Sequence, residues 1–98
     1  MERVNRYPDA GDAVGTWLSI MRAGNWQRGQ EMIGAFSGRV RPIENGRVVF
    51  DIKGNSYRLV CAVRFPEPGH EGRSTALFKF FGTHAEYDKI DAATVEPT

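Results

Sequence analysis

Ninety-eight residues suffice for one domain with one hydrophobic core, and a 41% hydrophobic content with eleven aromatics excludes a disordered tail. The net charge of +1 gives no bulk attraction to nucleic acid, yet it hides six basic against two acidic residues over 39–64, and one lysine against four acidic residues over 84–98. No apolar run approaches the ~20 residues of a membrane span, Met1-Glu2-Arg3 leads into no signal-peptide core, and the lone Cys61 excludes an internal disulfide; the expected location is the cytoplasm.

Asp9 to Arg22 reads as a helix, because Ala10, Ala13, Val14, Trp17, Leu18 and Met21 keep the i, i+3, i+4, i+7 spacing and Gly24-Asn25 supplies a stop. A second, shorter helix is expected over Gln27 to Phe36, burying Met32, Ile33 and Phe36. Ser37 to Gly46, punctuated by Gly38, Pro42 and Gly46, reads as connecting chain. Strands follow over 47–53 and 56–65, both rich in β-branched and aromatic residues, with Gly54-Asn55 as the hairpin turn between them. That turn pairs Lys53 with Ser56, Ile52 with Tyr57 and Asp51 with Arg58.

The register sorts the side chains onto two faces. Val48, Phe50, Ile52, Tyr57, Leu59, Cys61, Val63 and Phe65 form an apolar face that must pack on the helices. Arg47, Val49, Asp51, Lys53, Arg58, Val60, Ala62 and Arg64 form a basic second face that no element obviously covers. A solvated sheet face carries the same charge pattern, so charge alone does not make it a binding surface. A third strand over 74–82 follows the loop PEPGHEGR (66–73). Its even positions Ala76, Phe78 and Phe80 are expected toward the core, which leaves Lys79 and Phe81 beside the basic strip.

After this strand, Thr83-His84-Ala85-Glu86 has the form of a capping box, so a short helix is expected from about His84. Tyr87 and Asp88 then lie one turn on, near the same helical face. This delivers an imidazole and a phenol to the rim of the basic face. A histidine can move a proton near neutral pH, and a neighbouring arginine or lysine can stabilise charge on a phosphate. RNA carries its own nucleophile in the 2′-OH, so such a site needs no metal. The other assignment is that His84 and Tyr87 only hydrogen-bond the helix to the sheet edge. His70 sits in a polar loop, Trp17 and Trp26 fit helix-packing anchors, and no metal-ligand or phosphate-loop spacing occurs, so no cofactor or metal is expected.

The stretches NGRVVFDIKGNSYRLVCAV (45–63) and FFGTHAEYDKID (80–91), supported by YPDAGDAVGTWL (7–18), closely resemble the HigB toxins of bacterial type II toxin–antitoxin systems, within the RelE-like mRNA interferases. The resemblance implies a RelE-like α+β domain over 1–98, with two N-terminal helices packed on a small antiparallel sheet. It also implies metal-free endoribonuclease activity on mRNA, often on the ribosome, and a HigA-like helix-turn-helix antitoxin as partner. HigB-like chains usually carry a short strand and more of the first helix before the Tyr7-Pro8-Asp9-Ala10 point, so that strand is expected to be missing or shortened here. Family motifs fall on Arg47, Asn55, Arg58, His84, Tyr87 and Asp88. Combined with the basic face, the expected catalytic group is His84, Arg58, Tyr87 and Asp88, and the expected RNA contacts are Arg47, Lys53, Asn55, Arg64 and Lys79. Two other classes fit the resemblance: a gyrase-directed toxin of the same fold group, and a non-catalytic degenerate toxin that binds RNA or antitoxin.

Overall fold

The computed structural model describes residues 7–24, 26, 29–36, 39–54, 56–65 and 75–97. A short 3-10 turn, Pro8–Ala10, leads into α1 (Gly11–Ala23), followed by α2 (Gly29–Ala35). The sheet comprises β1 (Val40–Pro42), β2 (Arg47–Ile52), β3 (Tyr57–Arg64) and β4 (Thr75–Thr83), in that spatial order and antiparallel throughout. A one-turn helix, α3 (His84–Tyr87), closes the regular structure. This is the expected α+β arrangement, with both N-terminal helices on a small antiparallel sheet.

The helix-packed side holds the larger core. Val14 and Trp17 of α1 and Met32 of α2 meet Val48, Phe50, Ile52, Leu59, Cys61 and Val63 of the sheet. Each large side chain fully buried there contributes about 1.5–3 kcal/mol. Edge-to-face contacts of Phe50 with Trp17 at 5.5 Å and with Phe36 at 5.0 Å lock the helices to β2. Trp17 and Trp26 are therefore packing anchors, as their positions suggested. Cys61 is buried, and desolvation pushes its thiol up to about 12, so it packs as a small apolar group.

The β2–β3 hairpin keeps the expected register, with Ile52 opposite Tyr57 and Asp51 opposite Arg58. Four expectations need correction. First, the stretch read as connecting chain contains β1, whose Val40 is buried opposite Phe50 and whose Arg41 lies opposite Val49. Pro42 is tolerated because β1 is an edge strand. Second, Lys53 leaves the strand: its φ of 53° is left-handed, so alternation stops at Ile52 and its side chain turns to the helix-packed side. Gly54, at φ 64°, completes the bend. Asn55 and His70 lie outside the described residues.

Third, β4 carries a bulge. Val60 faces Phe80 but Cys61 faces Phe78, so Lys79 is an extra residue and the alternation reverses around it. Phe78 stays on the helix side as expected, whereas Phe80 and Phe81 exchange faces: Phe81 joins the main core and Phe80 the opposite side. Fourth, the second face is covered along part of its length. Val49, Val60 and Phe80 form a small second core with Ala92, flanked by Ile43, Tyr87, Ile90 and Val95. The chain after α3 folds back over the sheet.

Candidate functional site

The capping box at α3 forms as the sequence predicts. Glu86 N donates to Thr83 Oγ1 at 3.1 Å, and Thr83 N donates to Glu86 Oε1 at 2.9 Å. Glu86 Oε1 also accepts from the Tyr7 hydroxyl, which ties α3 to the first described residue of the chain. His84 N donates to Ser56 O at 3.1 Å and joins α3 to the hairpin turn. Gly82 makes room for this junction: a Cβ there would stand 2.8 Å from the Phe80 ring and 2.9 Å from Glu86 Oε1. Thus α3 straddles the end of the sheet, with Glu86 reaching the helix-packed side and Tyr87 packing on the other.

His84 is half exposed, and its Nδ1 lies 3.6 Å from Asp88 Oδ2, one helical turn on. Tyr87 lays its ring against the second core, and its hydroxyl accepts a long 3.4 Å hydrogen bond from Arg41 Nη2. The Arg41 guanidinium stands 5.9 Å from the ring centroid, within cation–π range. Arg58 is buried, with Nε 3.2 Å from Asp51 Oδ1 and Nη1 donating to Tyr57 O at 3.1 Å. The cross-strand pair fixes the arginine's direction. Arg58 faces Gly82 across the β3–β4 ladder, two residues before His84.

The other expected RNA contacts are distributed differently. Arg47 is only 6% exposed: its Nη1 donates to Ala92 O at 3.2 Å and to Val95 O, and its Nη2 meets Glu96 Oε1 at 2.8 Å. Lys79 Nζ meets the other oxygen of the same carboxylate, Oε2, at 2.8 Å. The Lys79 hydrogen bond, and after it Arg47, hold the Glu96 carboxyl below its usual range. Lys53 Nζ reaches Asp9 Oδ2 at 2.9 Å on the helix-packed side, where Tyr57 donates to Asp9 Oδ1 at 2.6 Å. The Tyr57 hydrogen bond, then Lys53, lower Asp9; the same bond to Asp9, then burial, push Tyr57 up to about 12. Arg64 is exposed at the end of β3.

The sheet and α3 thus bring His84, Asp88 and Tyr87 to one end, beside the strand position of Arg58, whereas Arg47 and Lys79 lie under the returning chain and Lys53 on the opposite side. Arg41 joins the group although sequence reasoning placed it in a linker. Its signal was present in Arg39-Val40-Arg41, a polar–apolar–polar alternation too short to stand out. Among the described residues, no cluster of three His, Cys, Asp or Glu side chains could hold a metal ion. Nor, among them, is any helix long and apolar enough to cross a membrane.

A family model described as HigB_toxin, RelE-like toxic component of a toxin-antitoxin system, matches residues 10–90. The chain belongs to the HigB toxin family. The matched span holds α1, α2, the whole sheet and α3, and stops before the stretch that supplies Ala92, Val95 and Glu96 to Arg47. Comparison with curated proteins and with solved structures returns no match. Membership agrees with the resemblance carried by residues 45–63 and 80–91, and a HigB-family toxin implies an antitoxin as its partner.

Proposed function

We propose that this HigB-family chain is an endoribonuclease that cuts mRNA on the translating ribosome and is neutralised by a HigA-like helix-turn-helix antitoxin. One observation carries the reading: His84 stands half exposed at the start of α3, 3.6 Å from Asp88, while Arg58 is held by Asp51 on the adjoining strand. In the reaction, the substrate's 2′-oxygen bonds to phosphorus and the bond to the 5′-oxygen breaks. A proton leaves the 2′-OH and one reaches the departing oxygen. His84 is the group that takes or delivers a proton, and Asp88, 3.6 Å from its Nδ1, orients the imidazole. Arg58 provides fixed positive charge near the phosphate, as electrostatic stabilisation requires. Arg41, exposed and steadied by Tyr87, contacts the RNA backbone.

The test is cleavage of mRNA by purified protein, with and without ribosomes, mapped by primer extension. His84→Ala should slow cutting by about 10²–10⁴-fold, the contribution of a general acid–base group, with its melting temperature nearly unchanged. A His84→Ala protein that fails to fold would make this histidine structural. The non-catalytic reading has one observation in its favour, since Arg47, Lys53 and Lys79 already face carboxylates of their own chain. It predicts antitoxin binding by a folded protein that cuts no RNA in any lane.

A further inference from the structure

Between the sheet and the returning chain lies an open trough of about 520 Å³, lined among others by Arg47, Arg64, Leu77, Lys79, Thr94 and Glu96. Three cations line it, and two of them hold one carboxylate. Arg47 Nη2 and Lys79 Nζ each hold one oxygen of Glu96, both at 2.8 Å. That is how two oxygens of a phosphate would be gripped. The Glu96 side chain is 60% exposed, against 7% for Arg47 and 17% for Lys79, so the carboxylate reaches in from solvent while the cations are built into the sheet.

The ion pair is also separable from the anchor of the returning chain. Arg47 holds that chain through Nη1 on the Ala92 and Val95 carbonyls, and Asn45 Nδ2 adds a hydrogen bond to Ala93 O at 2.9 Å. Neither contact involves Glu96, so its carboxylate can leave while the segment stays. Beside the cations, Leu77 is 62% exposed and offers an apolar surface to the face of a base. Arg47 lies opposite Ala62, four residues along β3 from Arg58, a separation of about 13 Å at the usual strand rise.

We infer that this trough is a second phosphate-binding subsite, occupied in the free protein by Glu96, that takes the backbone phosphate of a nucleotide flanking the one cut. The inference rests on the RNA-cleaving reading above and makes Glu96 an internal competitor of substrate. Glu96 held below its usual carboxylate range is ionised at neutral pH and competes there.

The experiment measures binding rather than cutting, with a short 2′-O-methyl oligonucleotide that keeps the phosphates and lacks the nucleophile. Wild type, Glu96→Gln and Glu96→Gln with Lys79→Gln are titrated by fluorescence anisotropy over a range of salt, with a hexaglutamate peptide as second probe. Glu96→Gln should bind the oligonucleotide about two- to five-fold more tightly, the worth of an exposed ion pair. Its salt slope should steepen by about 0.7 for each phosphate gained, and Lys79→Gln should remove the gain. Equal affinity and slope in wild type and Glu96→Gln overturn the subsite. So does a gain confined to hexaglutamate, which would make the trough a site for acidic peptide. Cleavage of unmodified mRNA with ribosomes present, assayed in parallel, judges the enzymatic reading separately: a binding gain without cutting there leaves the phosphate site and removes the nuclease.

Discussion

Two ends of one sheet face show how differently the same side chain can be used. At the α3 end, Arg41 is exposed and meets the ring and hydroxyl of Tyr87, while Arg58 is buried and aimed by Asp51. At the other end, Arg47 is buried and donates to two backbone carbonyls and a carboxylate of the returning chain. All three arginines come from the same basic excess in the sequence. What separates Arg41 from Arg47 is the course of residues 91–97, which cover Arg47 and leave Arg41 to solvent, whereas Arg58 is as buried as Arg47. Arg47 uses Nη1 to anchor the returning chain and keeps Nη2 for a carboxylate, whereas Arg41, held only loosely against a ring, presents its guanidinium to solvent.

The largest expected effect tests the open end. His84→Ala should lower cutting by about 10²–10⁴-fold, whereas Asp88→Asn, which removes only the partner 3.6 Å away, should leave more activity; equal losses would mean that the pair acts as one unit. Arg47→Ala against Arg41→Ala breaks the comparison directly. Loss of charge-assisted hydrogen bonds at Arg47 should cost about 1.5–3 kcal/mol of stability, read by urea denaturation, while Arg41→Ala should stay within about 0.5 kcal/mol and weaken RNA binding instead. If both variants are equally stable, the distinction between the two ends fails.

A smaller effect is expected at the junction. Thr83→Ala removes the cap of α3 and should cost about 1 kcal/mol; because it loosens the helix that begins with His84, cutting should fall as well. The smallest concerns pH. Glu96 and Asp9 are depressed in the folded state, so each contributes stability above its unfolded value, about 4.3 and 3.9 respectively, and that contribution is lost as pH falls through the lower folded value. Tyr57, raised to about 12, behaves oppositely: its contribution is present below its unfolded value and lost as pH rises through the folded one. Acid melts of Glu96→Gln should therefore flatten relative to wild type, without any change at neutral pH in the protection of amides in α1. A parallel acid response in both proteins would remove Glu96 from the account.

Much of this was legible. The hairpin register followed from alternation and a glycine turn, and the capping box from Thr83 and Glu86 three residues apart. The rest depended on tertiary contacts that leave little local trace. β1 has three residues, one of them Pro42, too few for a period to register. In Phe78-Lys79-Phe80-Phe81, three of four residues are apolar because both faces of β4 are covered there, so alternation could not reveal the bulge. Ile90, Ala92 and Val95 follow no helical or strand spacing. Their burial arises only when the chain meets Val49, Val60 and Phe80. That His84, Tyr87 and Asp88 share one turn after the capping box was readable for the same reason the hairpin was: local structure sets it. Which basic residues would be claimed by the chain's own carboxylates was not.

The oxygen Glu86 Oε1 has a consequence for the order of folding. It accepts from Thr83 N, three residues away, and from the Tyr7 hydroxyl, 79 residues away. The first bond is available as soon as α3 nucleates, whereas the second must await docking of the chain's beginning against Tyr57 and Phe81. Contacts of such separation are slow to form, because the intervening chain must be ordered first. A species in which the hairpin and β4 have paired but Tyr7 has not docked would be compact, would bury Leu59 and Phe50, and would still hold the start of α3 by its local cap alone. Tyr7 would be the last of these groups to reach its final position, so its packing against Tyr57 and Phe81 should recover later than the sheet on refolding.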